Sequence, residues 1–266
     1  MLQAGFNDKV KLNVKDNCDR SCQMYNEFEE KHHFFASLAF KLAENINLKP
    51  NSTVLDVGCG NGISAQILNQ HFSCQVLGVD LSEKMIESGR SLCASPEIRL
   101  WVGDGEKLAE VTGGQVFDYV LYNASIFIFP DVEKTIKEAA CCLRPGGKIA
   151  FSFYPFLEGS RGEDLLDEAF RRLGEPIPRF RVITDYDKAC RALLNNCGTV
   201  THYRWVRPFD IEFLQDFFSI PAQSASLFPG RDYEERRELV QRLFSTVSDL
   251  AERSSIVWRM ADGVKP

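Results

Sequence analysis

The chain has 266 residues, 44% of them hydrophobic and 26% charged, with a net charge of −6 and nine cysteines. This is a globular balance whose acidity gives no sequence-independent grip on nucleic acid or anionic lipid. No apolar run reaches the roughly 18–20 residues of a membrane span, so membrane insertion is not expected.

The opening stretch MLQAGFNDKVKLNVKDN is polar, has no signal-peptide apolar core, and is expected to be loose. From about Arg20 to Ile46 the pattern turns helical, with Phe34, Phe35, Leu38 and Leu42 on one face. Lys49-Pro50-Asn51-Ser52 stops it. Thr53–Val57 is β-branched and apolar and suits a buried strand. Glycines follow, then a helix with Ile63, Ile67, Leu68 and Phe72 inward. Gln75–Val79 predicts a second strand, and Ser82 is suited to cap a helix from Glu83 to about Leu92. Ile98–Val102 and Phe117–Leu121 read as strands three and four. Val132–Leu143 reads as a helix, ended by Arg144-Pro145-Gly146-Gly147, and Lys148–Phe153 as strand five. Such alternation implies right-handed crossovers and a mostly parallel α/β sheet with helices on both faces.

The second half carries helix patterns at Glu163–Leu173, Lys188–Asn195, Asp210–Phe218 and Glu234–Arg253, the last with Leu239, Val240, Leu243, Val247 and Leu250 on one side. Strands are expected at Val200–Val206 and Ser255–Met260. The stretch from about Glu158 to Gly198 exceeds a simple crossover and reads as an elaboration over the sheet edge. The nine cysteines are an odd count without a framework spacing, and read as reduced thiols of a cytoplasmic chain. Cys141-Cys142 falls on a helix, where buried thiols act as small hydrophobes.

The most informative segment is Val54-Leu55-Asp56-Val57-Gly58-Cys59-Gly60-Asn61-Gly62. A glycine turn between a first strand and a first helix lets a nucleotide-like ligand approach the backbone. A nicotinamide dinucleotide site calls for a small residue where Ile63 stands. A carboxylate at Asp56 would also repel a pyrophosphate, whereas it suits an ammonium or a sulfonium. Asp80 ends strand two about 20 positions past the glycines, at the spacing of a ribose-binding carboxylate. Asp104 ends strand three, where it is able to accept from an adenine amino group. Each alone reads as an ordinary turn aspartate. Three in succession beside the glycines read as a nucleoside site at the strand ends.

At these residues the chain resembles the class I S-adenosylmethionine-dependent methyltransferases, of the small-molecule type found in quinone pathways and carboxyl methylation. VLDVGCGNG looks like their first motif, GVDLS the second and VGDGEKL the third. FDYVLYNASIFIFPD and CLRPGGKIAFSF resemble the parts around strands four and five, so that the likeness covers roughly residues 50–155. It implies a Rossmann-like, mostly parallel seven-stranded sheet, with SSIVWRMADG as its antiparallel last strand. The single domain, 1–266, then divides into an N-terminal helical cap (1–48), a cofactor-binding core (49–155), and a substrate lid with the last strands (156–266), including a helical insertion between strands five and six. The cofactor implied is S-adenosyl-L-methionine, leaving as S-adenosyl-L-homocysteine. Gly58, Cys59, Gly60 and Gly62 would pass under its methionine part, and Asp56 would orient the ammonium through water. Asp80 would hold the ribose. Leu81, Asp104 and Gly105 would face the adenine, and Asn123 would offer its backbone near the amino group. DRSCQMYNEFEEKHHF looks like the short helix before motif one, where an aromatic residue closes over the cofactor; Tyr25 is the matching position.

The activity implied is methyl transfer to a small-molecule acceptor, with oxygen, as hydroxyl or carboxylate, expected first and carbon, nitrogen or sulfur left open. A non-catalytic cofactor-binding module is the other reading. Family members often carry a histidine a few residues after the strand-four asparagine; here Phe127 stands instead. The (Asp/Asn)-Pro-Pro-aromatic motif of nucleobase and amide methylation is absent. Tyr25, His32 and His33 are the candidate bases, Tyr25 and His32 foremost, against the plainer reading of the histidine pair as a polar helix face. His71 reads as a helix-end residue, and His202 as packing or pocket wall. Cys18, Cys22, His32 and His33 lack zinc-knuckle spacing, so no metal is expected. Arg171, Arg172, Arg179, Arg181, Arg204 and Arg207 read either as a solvated face or as a clamp for an acidic substrate. Phe180, Tyr186, Trp205 and Phe209 are candidates for an apolar pocket. A monomer or a homodimer is expected.

Overall fold

In the computed structural model, which describes residues 2–178, 181–249 and 254–266, a central strand β1 (Thr53–Val57) runs parallel to β2 (Gln75–Asp80) on one side and β4 (Phe117–Tyr122) on the other. β3 (Ile98–Val102) extends the sheet beyond β2, and β5 (Leu143–Ser152) beyond β4, both parallel. The last strand, β8 (Ser254–Val264), lies antiparallel to β5, to β6 (Phe156–Gly159) and to β7 (Thr201–Pro208). The order is β3-β2-β1-β4-β5-β8-β6, with β7 along the other side of β8. The sheet thus has eight strands, one more than expected; the addition is the short β6, which extends past the expected fifth strand.

The crossovers are α3 (Ile63–Phe72), α4 (Glu83–Leu92), the single turn α5 (Leu108–Val111) and α6 (Val132–Cys141). Ser82 caps α4, its hydroxyl accepting from Met85 N at 3.1 Å. On α3 the inward residues are Ser64, Ala65 and Leu68; Ile63 and Ile67 are only half-buried. β5 begins at Leu143, and the Arg144–Gly147 turn is a register shift inside the strand rather than a loop before it. Val54, Leu55, Val57, Val76, Val120 and Ile149 are buried at the sheet centre, each contributing about 1.5–3 kcal/mol by leaving water.

Two helices precede β1. α1 (Leu2–His32) is continuous, so the expected loose start is helical. Its inward stripe is Val14, Cys18, Ser21, Tyr25 and Phe28, a 4-3-4-3 spacing that lays the helix across the ends of β2 and β3. His33, at φ 46°, breaks the chain into α2 (Phe34–Asn45). The C-terminal part adds α7 (Leu165–Leu173), α8 (Tyr186–Cys197), α9 (Ile211–Ser219), α10 (Pro221–Leu227) and α11 (Tyr233–Ser245). α11 stops earlier than its apolar pattern suggests, and Leu250 and Arg253 lie outside the described residues. α10 was not expected; it docks on α1 through Ala222 N, which donates to Ser21 Oγ at 3.0 Å.

Candidate active site

The turn after β1 is built by three glycines with positive φ: Gly58 at 71°, Gly60 at 53° and Gly62 at 79°. A Cβ on Gly58 would stand 2.5 Å from Ser125 Cβ, so the turn admits no side chain there. Gly58 N donates to Val79 O at 2.8 Å, and Gly60 N to Asp80 Oδ2 at 2.9 Å, binding the turn to the end of β2. Asp80 Oδ1 accepts from Ser82 N at 2.8 Å, so both oxygens are anchored and each keeps a lone pair for a ligand.

Beneath this turn Asp56 is 1% exposed, and neither carboxylate oxygen has a hydrogen-bond partner. Burial, reinforced by the charge of Asp80, pushes its pKa up to about 7. A buried polar group without a partner is destabilising. A ligand bearing a positive charge would supply what Asp56 lacks.

Two adjoining clefts open along the strand ends, of about 480 and 690 Å³, sharing Cys18, Gly58, Asp80 and Ile128. The smaller holds Leu81, Asp104 and Gly105, the expected adenine-facing residues. Lys11 of α1 also enters it, its Nζ 2.7 Å from Asp104 Oδ2 and 2.6 Å from Glu106 Oε2. The larger holds Cys59, Asn61, Ser64 and Asn123, with Tyr25, Glu29, Phe35 and Gln223 opposite them. Asn123 braces the wall: its amide donates to Ser64 Oγ at 2.9 Å and Phe35 O at 3.2 Å, and its carbonyl oxygen accepts from Ser152 Oγ at 2.9 Å. Both amide hydrogens of Asn123 are thus spent within the protein, which leaves its side chain no donor for a ligand.

The structure therefore brings Gly58, Cys59, Gly60, Asp80, Leu81, Asp104, Gly105 and Asn123 to one trough, with Tyr25 over its larger end, whereas Asp56 and Gly62 lie buried behind the turn and line neither cleft. The Tyr25 ring meets Phe35 edge-on at 5.6 Å, and its hydroxyl accepts from Gln223 Nε2 at 2.9 Å. Burial pushes the phenol well above its usual range, so Tyr25 is a hydrogen-bond donor and not a base. His32 does not reach the trough: its Nε2 lies 2.8 Å from Asp216 Oδ2, and its ring packs on Phe28 at 4.7 Å. His32 continues the α1 stripe on the face of Tyr25, but seven residues and about 10 Å further along, where the helix ends and the chain turns at His33. His33 is exposed, and His202 is tied to Tyr186 OH at 2.9 Å.

Among the described residues, no three His, Cys, Asp or Glu side chains are placed to share a metal ion. Cys18 faces Asp80, and Cys22 points to Lys84 O, so the C-x3-C pair does not converge. Cys142 is buried, but Cys141 is exposed. The arginines are engaged within the protein: Arg171 and Arg172 share Glu168, Arg181 is held by Asp164 and Asp167, and Arg204 by Glu158. Arg207 lies over the Phe213 ring at 4.8 Å. None of these lines either cleft. Arg179 and Phe180 lie outside the described residues. Lys11, Glu29 and Gln223 were not singled out in the sequence, and Phe35 only as part of a helix's apolar face; the one available signal was the i, i+4 spacing of Tyr25 and Glu29.

Residues 55–151 match the protein family described as Methyltransferase domain. Among curated proteins, the chain is 27% identical over 156 residues to 27-O-demethylrifamycin SV methyltransferase of Amycolatopsis mediterranei, covering 58% of this chain and 57% of that protein. It is 31% identical over 111 residues to ubiquinone biosynthesis O-methyltransferase of Coxiella burnetii, covering 42% and 47%. The matched stretch thus spans about half the length of these relatives. Among solved structures, the phosphoethanolamine N-methyltransferase 2 of Haemonchus contortus, bound to phosphomonomethylethanolamine and S-adenosylhomocysteine, superposes with a TM-score of 0.62 at 16% identity, covering 95% of this chain and 60% of that one. At that identity the likeness is one of fold. The family match and the strand-end trough agree: over residues 55–151 this chain is similar to the methyltransferase domains of the class I, S-adenosylmethionine-dependent enzymes.

Proposed function

We infer that the chain transfers a methyl group from S-adenosylmethionine to an oxygen of a small molecule. The observation that carries this reading is Asp56, a buried carboxylate with no partner beneath a glycine turn, in line with Asp80 and Asp104. That trough suits a cationic nucleoside better than a dinucleotide diphosphate. The oxygen acceptor draws support from the two curated relatives named as O-methyltransferases; the superposed structure is of an N-methyltransferase.

When bound, the cofactor supplies a methyl group on a sulfonium, whose departure leaves a neutral sulfur. The protein therefore has no leaving group to protonate, and its work is alignment at about 3–3.5 Å and exclusion of water. Asp56 is suited to ionise against the cofactor's ammonium. Asp80 is suited to accept from ribose hydroxyls with the lone pairs that Gly60 and Ser82 leave free. Tyr25, Phe35 and Gln223 close the larger cleft from α1, α2 and α10.

Titration calorimetry with S-adenosylhomocysteine, followed by mass-spectrometric assay of methyl transfer to a panel of small hydroxyl compounds, tests this. Binding and turnover support the assignment. Tight binding with no transfer to any compound would favour a non-catalytic binding module, and absence of binding would remove the cofactor assignment.

A further inference from the structure

The larger cleft contains one charged group that cofactor binding does not use. Glu29 is 6% exposed and lines the cleft one helical turn after Tyr25. Its two oxygens accept from the first backbone N–H groups of α2, Phe35 N at 2.8 Å and Ala36 N at 2.9 Å, and the Phe34 N–H faces the same carboxylate. A carboxylate has about four lone-pair sites, so the group is held rigidly and can still accept. No lysine, arginine or histidine lines this cleft among the described residues. The groups around Glu29 are otherwise apolar or neutral: Phe35, Tyr25 and Gln223, with His33 as its nearest favourable charge.

Such a chamber discriminates by charge. A carboxylate acceptor would enter as an anion, with no cation to receive it and with Glu29 and Asp80 repelling it in a poorly solvated space. A hydroxyl brings no charge and donates the hydrogen bond that Glu29 is placed to accept. We propose that Glu29 receives the acceptor, which is a hydroxyl group on an apolar body and not a carboxylate, and that Glu29 takes its proton during transfer. In that step the hydroxyl oxygen's lone pair forms the new O–C bond, the pair of the broken C–S bond remains on sulfur, and the hydroxyl proton passes to Glu29. Burial raises the pKa of Glu29 against the pull of the Ala36, Phe35 and Phe34 backbone N–H groups, which makes it a better proton acceptor than a solvated carboxylate.

This rests on the methyltransferase reading, and the test separates the two. S-adenosylhomocysteine is first bound and its affinity measured. The loaded protein is then titrated with 4-nitrophenol at the pH where half of it is ionised, and in parallel with 4-nitrobenzoate. The nitrophenol is expected to bind as its neutral form, so that the yellow phenolate band falls. The nitrobenzoate is expected to bind at least tenfold more weakly. In Glu29→Gln the fall in the band should shrink by half or more. Nitrobenzoate bound as tightly as the phenol, a phenolate band that rises, or no binding of the phenol would each overturn the proposal and leave the cofactor assignment standing. Failure of S-adenosylhomocysteine itself to bind would overturn both. The comparison between the two probes uses the unaltered protein and does not depend on the variant folding.

Discussion

Lys11, ten residues into α1, places its Nζ 2.7 Å from Asp104 Oδ2 at the far end of β3, and 2.6 Å from Glu106. The contact ties the N-terminal helix down over the smaller cleft, on the carboxylate that would otherwise face the adenine. Burial works against the Lys11 ammonium, but the two carboxylates outweigh it and its pKa is raised. Replacing Lys11 by Met is expected to let α1 lift more readily. Exchange of S-adenosylhomocysteine, followed by stopped-flow fluorescence, should become about 3–10-fold faster, the scale of a partly exposed ion pair. Added salt should speed exchange in the parent protein and not in the variant. Equal rates in both would show that the ion pair is no latch.

Asp56 gives the clearest pH dependence. Its carboxyl is raised to about 7 by burial and by Asp80. Below about pH 4 it is protonated in both the folded and the unfolded chain and makes no difference. Between there and about 7 the unfolded chain ionises it first, so ligand-free stability falls as pH rises. Asp56→Asn removes this loss. The variant should be more stable than the parent at about pH 8 by on the order of 4 kcal/mol, and its denaturation midpoint should vary less across that window. Its affinity for S-adenosylhomocysteine should fall, because the ionised carboxylate is the form that meets an ammonium. Calorimetry in buffers of different ionisation enthalpy should detect proton release on binding to the parent protein near pH ~6 and none on binding to the variant.

Asp80→Ala removes a carboxylate that holds Gly60 N and Ser82 N as well as a ligand position. Binding of S-adenosylhomocysteine should weaken by about 1.5–3 kcal/mol, the scale for losing charge-assisted hydrogen bonds. Unchanged affinity by calorimetry would count against the ribose assignment.

The strand-end trough proposed to hold the cofactor was legible in the sequence because its parts are local. Gly58, Gly60, Gly62, Asp80 and Asp104 each lie at a strand end, and a parallel sheet brings successive strand ends together without further information. The opposite wall was not. Tyr25 and Glu29 face it from α1, Phe35 from α2 and Gln223 from α10, and their meeting depends on helix docking, which periodicity does not encode. The helix through residues 2–20 was missed because its buried stripe is made of Val14, Cys18 and Ser21 rather than leucines. Helix starts in the second half were displaced by one to two residues where aspartates cap them, as Asp164, Asp185 and Asp232 do. The arginines read as a substrate clamp are spent on neighbouring acids, a choice that depends on which carboxylates the fold places beside them.

Tyr25→Phe should separate positioning from binding. The variant keeps the ring that meets Phe35 and loses only the hydroxyl that accepts from Gln223. Stability should drop by about 0.5–1.5 kcal/mol, one modest hydrogen bond. S-adenosylhomocysteine affinity should stay within about twofold, since the trough below is untouched. Methyl transfer should slow by about tenfold or more if the hydroxyl fixes the acceptor's approach, because misplacement by even a fraction of an ångström raises the barrier. Equal turnover numbers would take Tyr25 out of the reaction and leave it as a wall of the cleft.

Gly58→Ala tests the turn itself. Alanine would have to adopt φ near 71°, and its Cβ would stand 2.5 Å from Ser125 Cβ. Ser125 has little room to yield: it is buried, and its hydroxyl donates to Val57 O at 2.6 Å. The left-handed conformation alone disfavours a side chain by about 1–2 kcal/mol, and the overlap adds to it. The expected result is a loss of roughly 2–4 kcal/mol in chemical denaturation, with cofactor binding reduced still further because Asp56 and Gly60 are displaced together. Gly60→Ala is the matched control: its φ is 53°, but nothing lies within 4 Å of the added Cβ. It should destabilise the fold less than Gly58→Ala while still hindering a ligand that approaches the turn. If the two variants lose equal stability, the close contact with Ser125 is not what requires glycine at position 58.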